Sequence, residues 1–182
     1  GALAAHALGY VGEVTDSELM TPEFVNFKSG DQVGKTGLER EYNSLLAGKD
    51  GFKRVIVNSF GREMGQLEEE PYVAGHDLVT TIDLDLQRAA EETIGEYSGA
   101  VIALDPRTGE VLAMVSKPGF DPNLFATRIS VTDWNNLIND PRKPMQNRAI
   151  QSRFPPGSVF KIFMAAAGLQ EGSLNAVKTV YS

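Results

Sequence analysis

The stretch Arg148-Ala149-Ile150-Gln151-Ser152-Arg153-Phe154-Pro155-Pro156-Gly157-Ser158-Val159-Phe160-Lys161 sets a Pro-Pro-Gly breaker directly before a serine and an apolar run. The prolines and the glycine do not fit inside a helix, so a helix is expected to begin close to Ser158. From Ser158 to Glu171 the apolar positions are Val159, Ile162, Phe163, Ala166, Ala167 and Leu169. The alanines favour helix, and Gly172 is a natural stop. Residues three apart on a helix are neighbours, which lets the Ser158 hydroxyl and the Lys161 amine meet. A lysine held among apolar side chains gives up its proton more readily. As a neutral amine it can accept the serine proton, and as an ammonium it can return a proton to a leaving group. The helix start adds N–H groups suited to a developing oxyanion.

A plainer reading stands beside this one. Ser-x-x-Lys arises by chance in about half of chains of this length. A serine at a helix start is ordinarily a cap, and a lysine in the first turn is ordinarily solvated. Two details favour chemistry. No other serine of the chain has a lysine three residues on, and the residues around Lys161 are almost all apolar.

Composition bounds the rest. A length of 182 residues fits one ordinary domain or parts of two. The net charge of −7 argues against a nucleic-acid backbone as partner. There is no cysteine, hence no disulfide framework and no thiolate metal site. No window is long and apolar enough to span a membrane. Gly1 in place of a methionine reads as the start of an excised or processed piece.

Residues 1–76 are broken often by glycine, as at Gly34, Gly37, Gly48, Gly51, Gly61 and Gly65. Val55-Ile56-Val57 is expected as a strand, and Glu39 to Leu46 as a short helix ended near Gly48. Glu68-Glu69-Glu70 is expected as a solvated loop. From Asp77 onward, Leu78 to Ile82 is a β-type run, and Asp83 caps a helix from Leu84 to about Tyr97 with Leu86, Ala89, Ala90 and Ile94 on one face. Ala100–Leu104 and Val111–Val115 bracket a Pro/Gly turn and predict a β-hairpin. Both strands are apolar on both faces, which predicts a central position under helices. Ser130-Val131-Thr132-Asp133 resembles a capping box for a short helix carrying Trp134 and Leu137. The fold class is therefore α+β, with a loop-rich module over 1–76 and a second part over 77–182. His6 and His76 have no companions at metal-ligand spacing and are expected to be structural or at the surface. Phe125 and Trp134 suit either a substrate cleft or a core, the core being commoner. Arg148 is placed either to pin the loop before Ser158 or at the surface.

Six blocks, taken in order, resemble the class B penicillin-binding proteins, most closely the penicillin-binding protein 2 group that builds the lateral wall of rod-shaped bacteria. They are Ala5-His6-Ala7-Leu8-Gly9-Tyr10-Val11-Gly12; Gly34-Lys35-Thr36-Gly37-Leu38-Glu39-Arg40-Glu41-Tyr42 with Leu45-Leu46-Ala47-Gly48; Thr80-Thr81-Ile82-Asp83 with Leu86-Gln87; Asp105-Pro106 with Thr108 to Ser116; Asp121-Pro122-Asn123 with Trp134, Leu137 and Asn147-Arg148-Ala149; and Pro156-Gly157-Ser158-Val159-Phe160-Lys161. The resemblance implies that 1–76 is part of a non-catalytic pedestal of dimerisation type. Residues 77–182 would be the N-terminal part of a transpeptidase domain related to serine β-lactamases. It implies a serine D,D-transpeptidase with Ser158 as nucleophile and oxyanion-hole N–H, and Lys161 as general base. It further implies peptidoglycan stem peptides as substrates, β-lactam antibiotics as acylating ligands, and a SEDS-type glycan polymerase with elongation scaffold proteins as partners. No cofactor, metal or nucleic acid is implied. The place implied is the periplasmic face of the cytoplasmic membrane, held by an anchor before Gly1.

Family members also carry a Ser-x-Asn motif and a Lys-Thr-Gly strand after the nucleophile, both expected beyond Ser182. Lys35-Thr36-Gly37 precedes the nucleophile and is read as structural, with Gly34 and Gly37 as turn residues. Three other functions stand as alternatives: a division-type transpeptidase, a penicillin-hydrolysing or penicillin-sensing acyl-serine protein, and a non-catalytic docking module. The pedestal-like first segment argues against the hydrolase, because such hydrolases are compact single domains.

Overall fold

A computed structural model describes residues 1–175 and 177. The chain divides into two compact units, residues 1–151 and 152–182. The first unit opens with a short helix α1 (Ala5–Leu8), strand β1 (Val11–Glu13), helix α2 (Asp16–Leu19) and strand β2 (Gln32–Gly34). Helices α3 (Gly37–Glu41) and α4 (Asn43–Leu46) lead to strands β3 (Phe52–Val57) and β4 (Glu63–Glu70). Helix α5 (Leu84–Ile94) precedes strands β5 (Gly99–Leu104) and β6 (Val111–Lys117), and helices α6 (Asn123–Ala126), α7 (Val131–Asn139) and α8 (Arg148–Gln151) close the unit. The strands pair as three antiparallel ribbons, β1–β2, β3–β4 and β5–β6. The fold is α+β, as the sequence implied. Among the described residues no helix is long and apolar enough to cross a membrane.

The hairpin β5–β6 runs from Gly99 opposite Lys117 to Leu104 opposite Val111. Its turn closes with the Asp105 N–H donating to the Glu110 carbonyl at 2.9 Å, and Gly109 takes the positive φ of 80° that the turn needs. Helices α1, α5 and α8 pack on β6, whose Ala113 and Val115 are fully buried. Helices α5 and α8 also reach β5, yet Val101, Ile102 and Leu104 stay exposed, so the expected covering is complete on β6 and only partial on β5.

The Asp83 carboxylate caps α5 by accepting from the Leu86 N–H at 2.9 Å. The helix ends at Ile94, short of Tyr97, because Gly95 turns into positive φ. The residue of α5 that is fully buried is Gln87, not the apolar set expected to face inward. Its amide reads the backbone of Met114 twice: Nε2 donates to the carbonyl at 3.0 Å, and Oε1 accepts from the N–H at 2.8 Å. The same Nε2 donates to Glu91 at 2.9 Å. Replacing Gln87 with leucine leaves both Met114 groups unpaired in the interior. We expect a loss of about 3 kcal/mol, read as a lower melting temperature by circular dichroism of the full-length protein.

The run Leu78–Ile82 forms no strand. It reaches the start of β6 through two contacts, the Thr81 hydroxyl donating to the Val111 carbonyl and the Asp83 N–H to the Leu112 carbonyl, and these do not make a ladder. The acidic run Glu68-Glu69-Glu70 is exposed as expected but lies in β4, not in a loop. Lys53 and Arg54 of β3 supply opposite charges to β4, with Arg54 3.2 Å from Glu68 and Lys53 3.0 Å from Glu63, and this offsets the repulsion. The expected helix Glu39–Leu46 is two helices meeting at Tyr42. Asn43 is buried there and its side-chain oxygen accepts from the Gly34 N–H at 2.8 Å. Gly34 is a strand residue rather than a turn residue: an added Cβ would fall 1.9 Å from the Glu39 carbonyl oxygen, so close approach demands glycine.

Two small cores hold the first unit. Val14, Phe24 and Val33 fill one, with Leu19 and Phe27 beside them. Ala5, Phe120 and Phe125 fill the other, with Tyr10, Ile129, Leu137 and Met145 against them. The second core joins α1 to the segments that follow β6.

Candidate active site

The second unit carries the predicted nucleophile segment. Gly157, at φ 56°, turns the chain out of Pro155-Pro156, and Gly157–Val159 forms one 3-10 turn. The turn continues into helix α9 (Phe160–Gln170). In a 3-10 turn residues three apart nearly eclipse, so the backbone brings Ser158 and Lys161 to the same side of the helix start. Helix α9 stops at Gln170, followed by Gly172 at φ 67°, as expected.

Among the described residues neither N-cap position, Pro156 of the 3-10 turn or Val159 of α9, makes a side-chain cap, and no hydrogen bond is made by the Ser158 hydroxyl. The Ser158 hydroxyl is therefore not engaged as a helix cap. Ser158 and Lys161 are both exposed, and among the described residues no hydrogen bond joins them and Lys161 has no ion pair. The apolar burial expected around Lys161 is not found: Phe160 is 50%, Ile162 70% and Phe163 66% exposed. The apolar side chains of α9 point to all sides, a pattern of helices that are covered in a finished core. Lys161 lines a cavity of about 690 Å³ with Met164, Ala165 and Gly168 along one side of α9. Gly168 lets Leu174 fold back, since a Cβ there would lie 2.5 Å from the leucine side chain.

The first unit holds the residues that lead toward this segment. Arg148 pins the turn that precedes it: its guanidinium donates to the carbonyls of Lys143, at 3.2 Å, and Arg142. Its N–H donates to the Ser116 hydroxyl at 2.9 Å, and that hydroxyl donates to the Gln146 carbonyl at 3.1 Å. His6 is structural, as expected. Its Nε2 donates to the Pro144 carbonyl at 2.8 Å and its ring meets Phe120 edge-on at 5.1 Å. Burial is the main cause holding its pKa below the usual histidine value. Asn147 donates from Nδ2 to the His6 carbonyl at 3.3 Å, while its Oδ1 accepts from the Ala149 N–H at 3.1 Å. Ser116, Asn147 and Gln87 enter the sequence reading only within the resembling blocks, and nothing there marks them as buried. Their partners lie far along the chain, and an isolated polar residue carries no periodic signal.

Lys35 sits in an ion pair with Glu18 at 2.5 Å, side chains 14% and 20% exposed, which agrees with a structural role for Lys35-Thr36-Gly37. Partial burial opposes ionisation of Glu18, but hydrogen bonds from Lys35 and from the Thr15 N–H and hydroxyl outweigh it and hold the carboxyl down at about 2. Phe125 is a core residue, whereas Trp134 is 41% exposed and edges onto it at 6.5 Å.

Residues 1–80 match the family model of the penicillin-binding protein dimerisation domain, and residues 99–181 match that of the penicillin-binding protein transpeptidase domain. The chain is 40% identical over its whole length to the peptidoglycan D,D-transpeptidase MrdA of Escherichia coli, of which it spans 29%. Among solved structures it is similar to the penicillin-binding protein 2 of Helicobacter pylori in complex with MreC, with a TM-score of 0.81 and 35% identity over 98% of this chain and 33% of that one. It is also similar to the Pseudomonas aeruginosa penicillin-binding protein 2 in complex with WCK 5153, with a TM-score of 0.81 and 37% identity over 99% of this chain and 36% of that one.

Proposed function

The chain belongs to the penicillin-binding protein family and is similar to its penicillin-binding protein 2 members, and we propose that the whole protein is a class B serine D,D-transpeptidase of cell elongation acylated on Ser158. The observation that carries this is an uncapped serine at the 3-10 start of α9, with Lys161 three residues on, within the segment matched by the transpeptidase model.

In this reading Lys161, as a neutral amine, takes the Ser158 proton while Oγ attacks the carbonyl of the penultimate D-alanine of a stem peptide. The Ser158 N–H donates to the oxyanion. Collapse breaks the peptide bond, and the Lys161 ammonium returns the proton to the amine of the departing terminal D-alanine. An amine of a second stem then attacks the ester, forming the cross-link and restoring the Ser158 hydroxyl. β-Lactams acylate the same oxygen by opening their ring. Residues 1–76 act as a pedestal and 77–182 as the first part of the catalytic domain. The pedestal offers a docking surface to a SEDS-type glycan polymerase and to elongation scaffold proteins; the H. pylori relative was solved with MreC. The protein works at the periplasmic face of the cytoplasmic membrane in the bacterial envelope.

The test is release of D-alanine by the full-length protein given a pentapeptide-bearing substrate and an amine acceptor. Acceptor-dependent release with formation of the cross-linked dimer is expected. Release without cross-linked product at any acceptor concentration would contradict a transpeptidase.

A further inference from the structure

Helix α8 is a single turn of four residues, too short to hold itself in water. Side chains hold it instead. The Ser116 hydroxyl of β6 accepts from the Arg148 N–H at 2.9 Å and donates to the Gln146 carbonyl at 3.1 Å. Asn147, just ahead of the helix, accepts at Oδ1 from the Ala149 N–H at 3.1 Å and donates from Nδ2 to the His6 carbonyl at 3.3 Å. Gln151, at the far end of the turn, reaches back, and its Oε1 accepts from the Asn147 N–H at 2.9 Å. Asn147 and Gln151 thus form a reciprocal cap of the capping-box kind. Ser116 and Asn147 are 5% and 8% exposed, and burying such groups is costly unless they are bonded. An alanine at 116 would serve packing alone. A hydroxyl shared between two backbone groups also fixes direction, because hydrogen bonds weaken steeply when misaligned.

What that direction serves lies downstream. Helix α8 ends at Gln151, the last residue of the first unit, and Ser158 follows seven residues on. Of the six residues between them, Pro155 and Pro156 have fixed φ, and Phe154, ahead of a proline, is restricted as well. A link with so little freedom carries the direction of α8 onward to the nucleophile turn.

We propose that Ser116, Asn147 and Gln151 are positioning residues for acylation: they fix α8, and with it the direction in which the chain sets out toward Ser158. They act through the chain and not on the reacting atoms. The inference rests on the function proposed above, with Ser158 as the acylated residue. A misplacement of about 1 Å at a reacting group costs on the order of 100-fold in rate, so loosening one of these ties is expected to be felt in the acylation step.

The rate constant of benzylpenicillin acylation per titratable site, measured in the full-length protein beside a melting curve, tests this. Ser116→Ala and Asn147→Ala should each lower the rate constant by about tenfold or more. Gln151 is exposed, so its variants fold, and Gln151→Ala should lower it by about threefold or more. Gln151→Glu keeps the accepting oxygen and should stay within about twofold of the wild type. Variants that melt lower yet acylate at the wild-type rate per site have a structural role only and overturn the proposal. So does a Gln151→Glu protein as slow as Gln151→Ala. Should the Ser116 and Asn147 variants fail to fold, the two Gln151 variants decide alone. Wild-type protein that takes up no penicillin, or takes it up away from Ser158, overturns the transpeptidase reading and this inference with it. Wild-type labelling on Ser158 with unchanged variant rates overturns this inference alone.

Discussion

Replacing Ser158 with alanine is expected to reduce covalent labelling of the full-length protein by benzylpenicillin to background. The acyl-enzyme is an ester on a hydroxyl, and without that oxygen the bond cannot form. A loss of roughly 10⁴-fold or more in acylation rate is the scale for removing a nucleophile outright. The change should leave folding almost untouched. Ser158 is exposed and caps no helix, and substitutions of that kind ordinarily shift stability by less than about 0.5 kcal/mol. Labelling by fluorescent penicillin, with a melting curve on the same sample, separates loss of chemistry from loss of fold. Persistent labelling at the wild-type rate would move the nucleophile elsewhere.

Replacing Lys161 should lower acylation by about 10²- to 10⁴-fold, the range for a positioned general base. The informative variant is Lys161→Arg. Arginine keeps the positive charge and much of the reach, but its guanidinium does not lose a proton in proteins. If Lys161 accepts the Ser158 proton, arginine should impair acylation about as severely as alanine. If Lys161 acts as a charge at the helix start, arginine should retain most of the rate. Rates of benzylpenicillin acylation measured across pH for the three proteins make the distinction, because loss of the base also removes its limb of the pH profile.

Much of this fold was legible because its signals are local. The Asp83 cap, the Ser130 cap with the Asp133 N–H at 3.0 Å, the Gly109 turn and the Gly172 stop each depend on residues a few positions apart. What was misread depends on distant partners. Leu78–Ile82 has β-type residues but no strand pairs with it. Glu68-Glu69-Glu70 looks like a loop until Lys53 and Arg54 are set across from it. Gln87 looks like a surface position on an amphipathic helix until its amide meets Met114.

The same division runs through the candidate site. The spacing of Ser158 and Lys161 behind Pro-Pro-Gly is written in fourteen consecutive residues, and the structure places both at one helix start. A cleft of about 700 Å³ in the first unit was half legible: the sequence offers Phe125 and Trp134 for a cleft or a core, and the structure lines the cleft with both, together with Tyr10, Glu18 and Lys35 from far back along the chain. The exposure of α9 was not foreseen, since sequence neighbours describe a helix and not what lies over it.

The central claim is that Ser158 is the acylated residue. Intact-mass spectrometry of the full-length protein before and after benzylpenicillin, followed by peptide mapping, tests it most directly. The account predicts one added penicilloyl group per molecule, located on the peptide containing Pro156-Gly157-Ser158-Val159-Phe160-Lys161. An adduct on a different serine, or a folded protein that gains no mass, would contradict it.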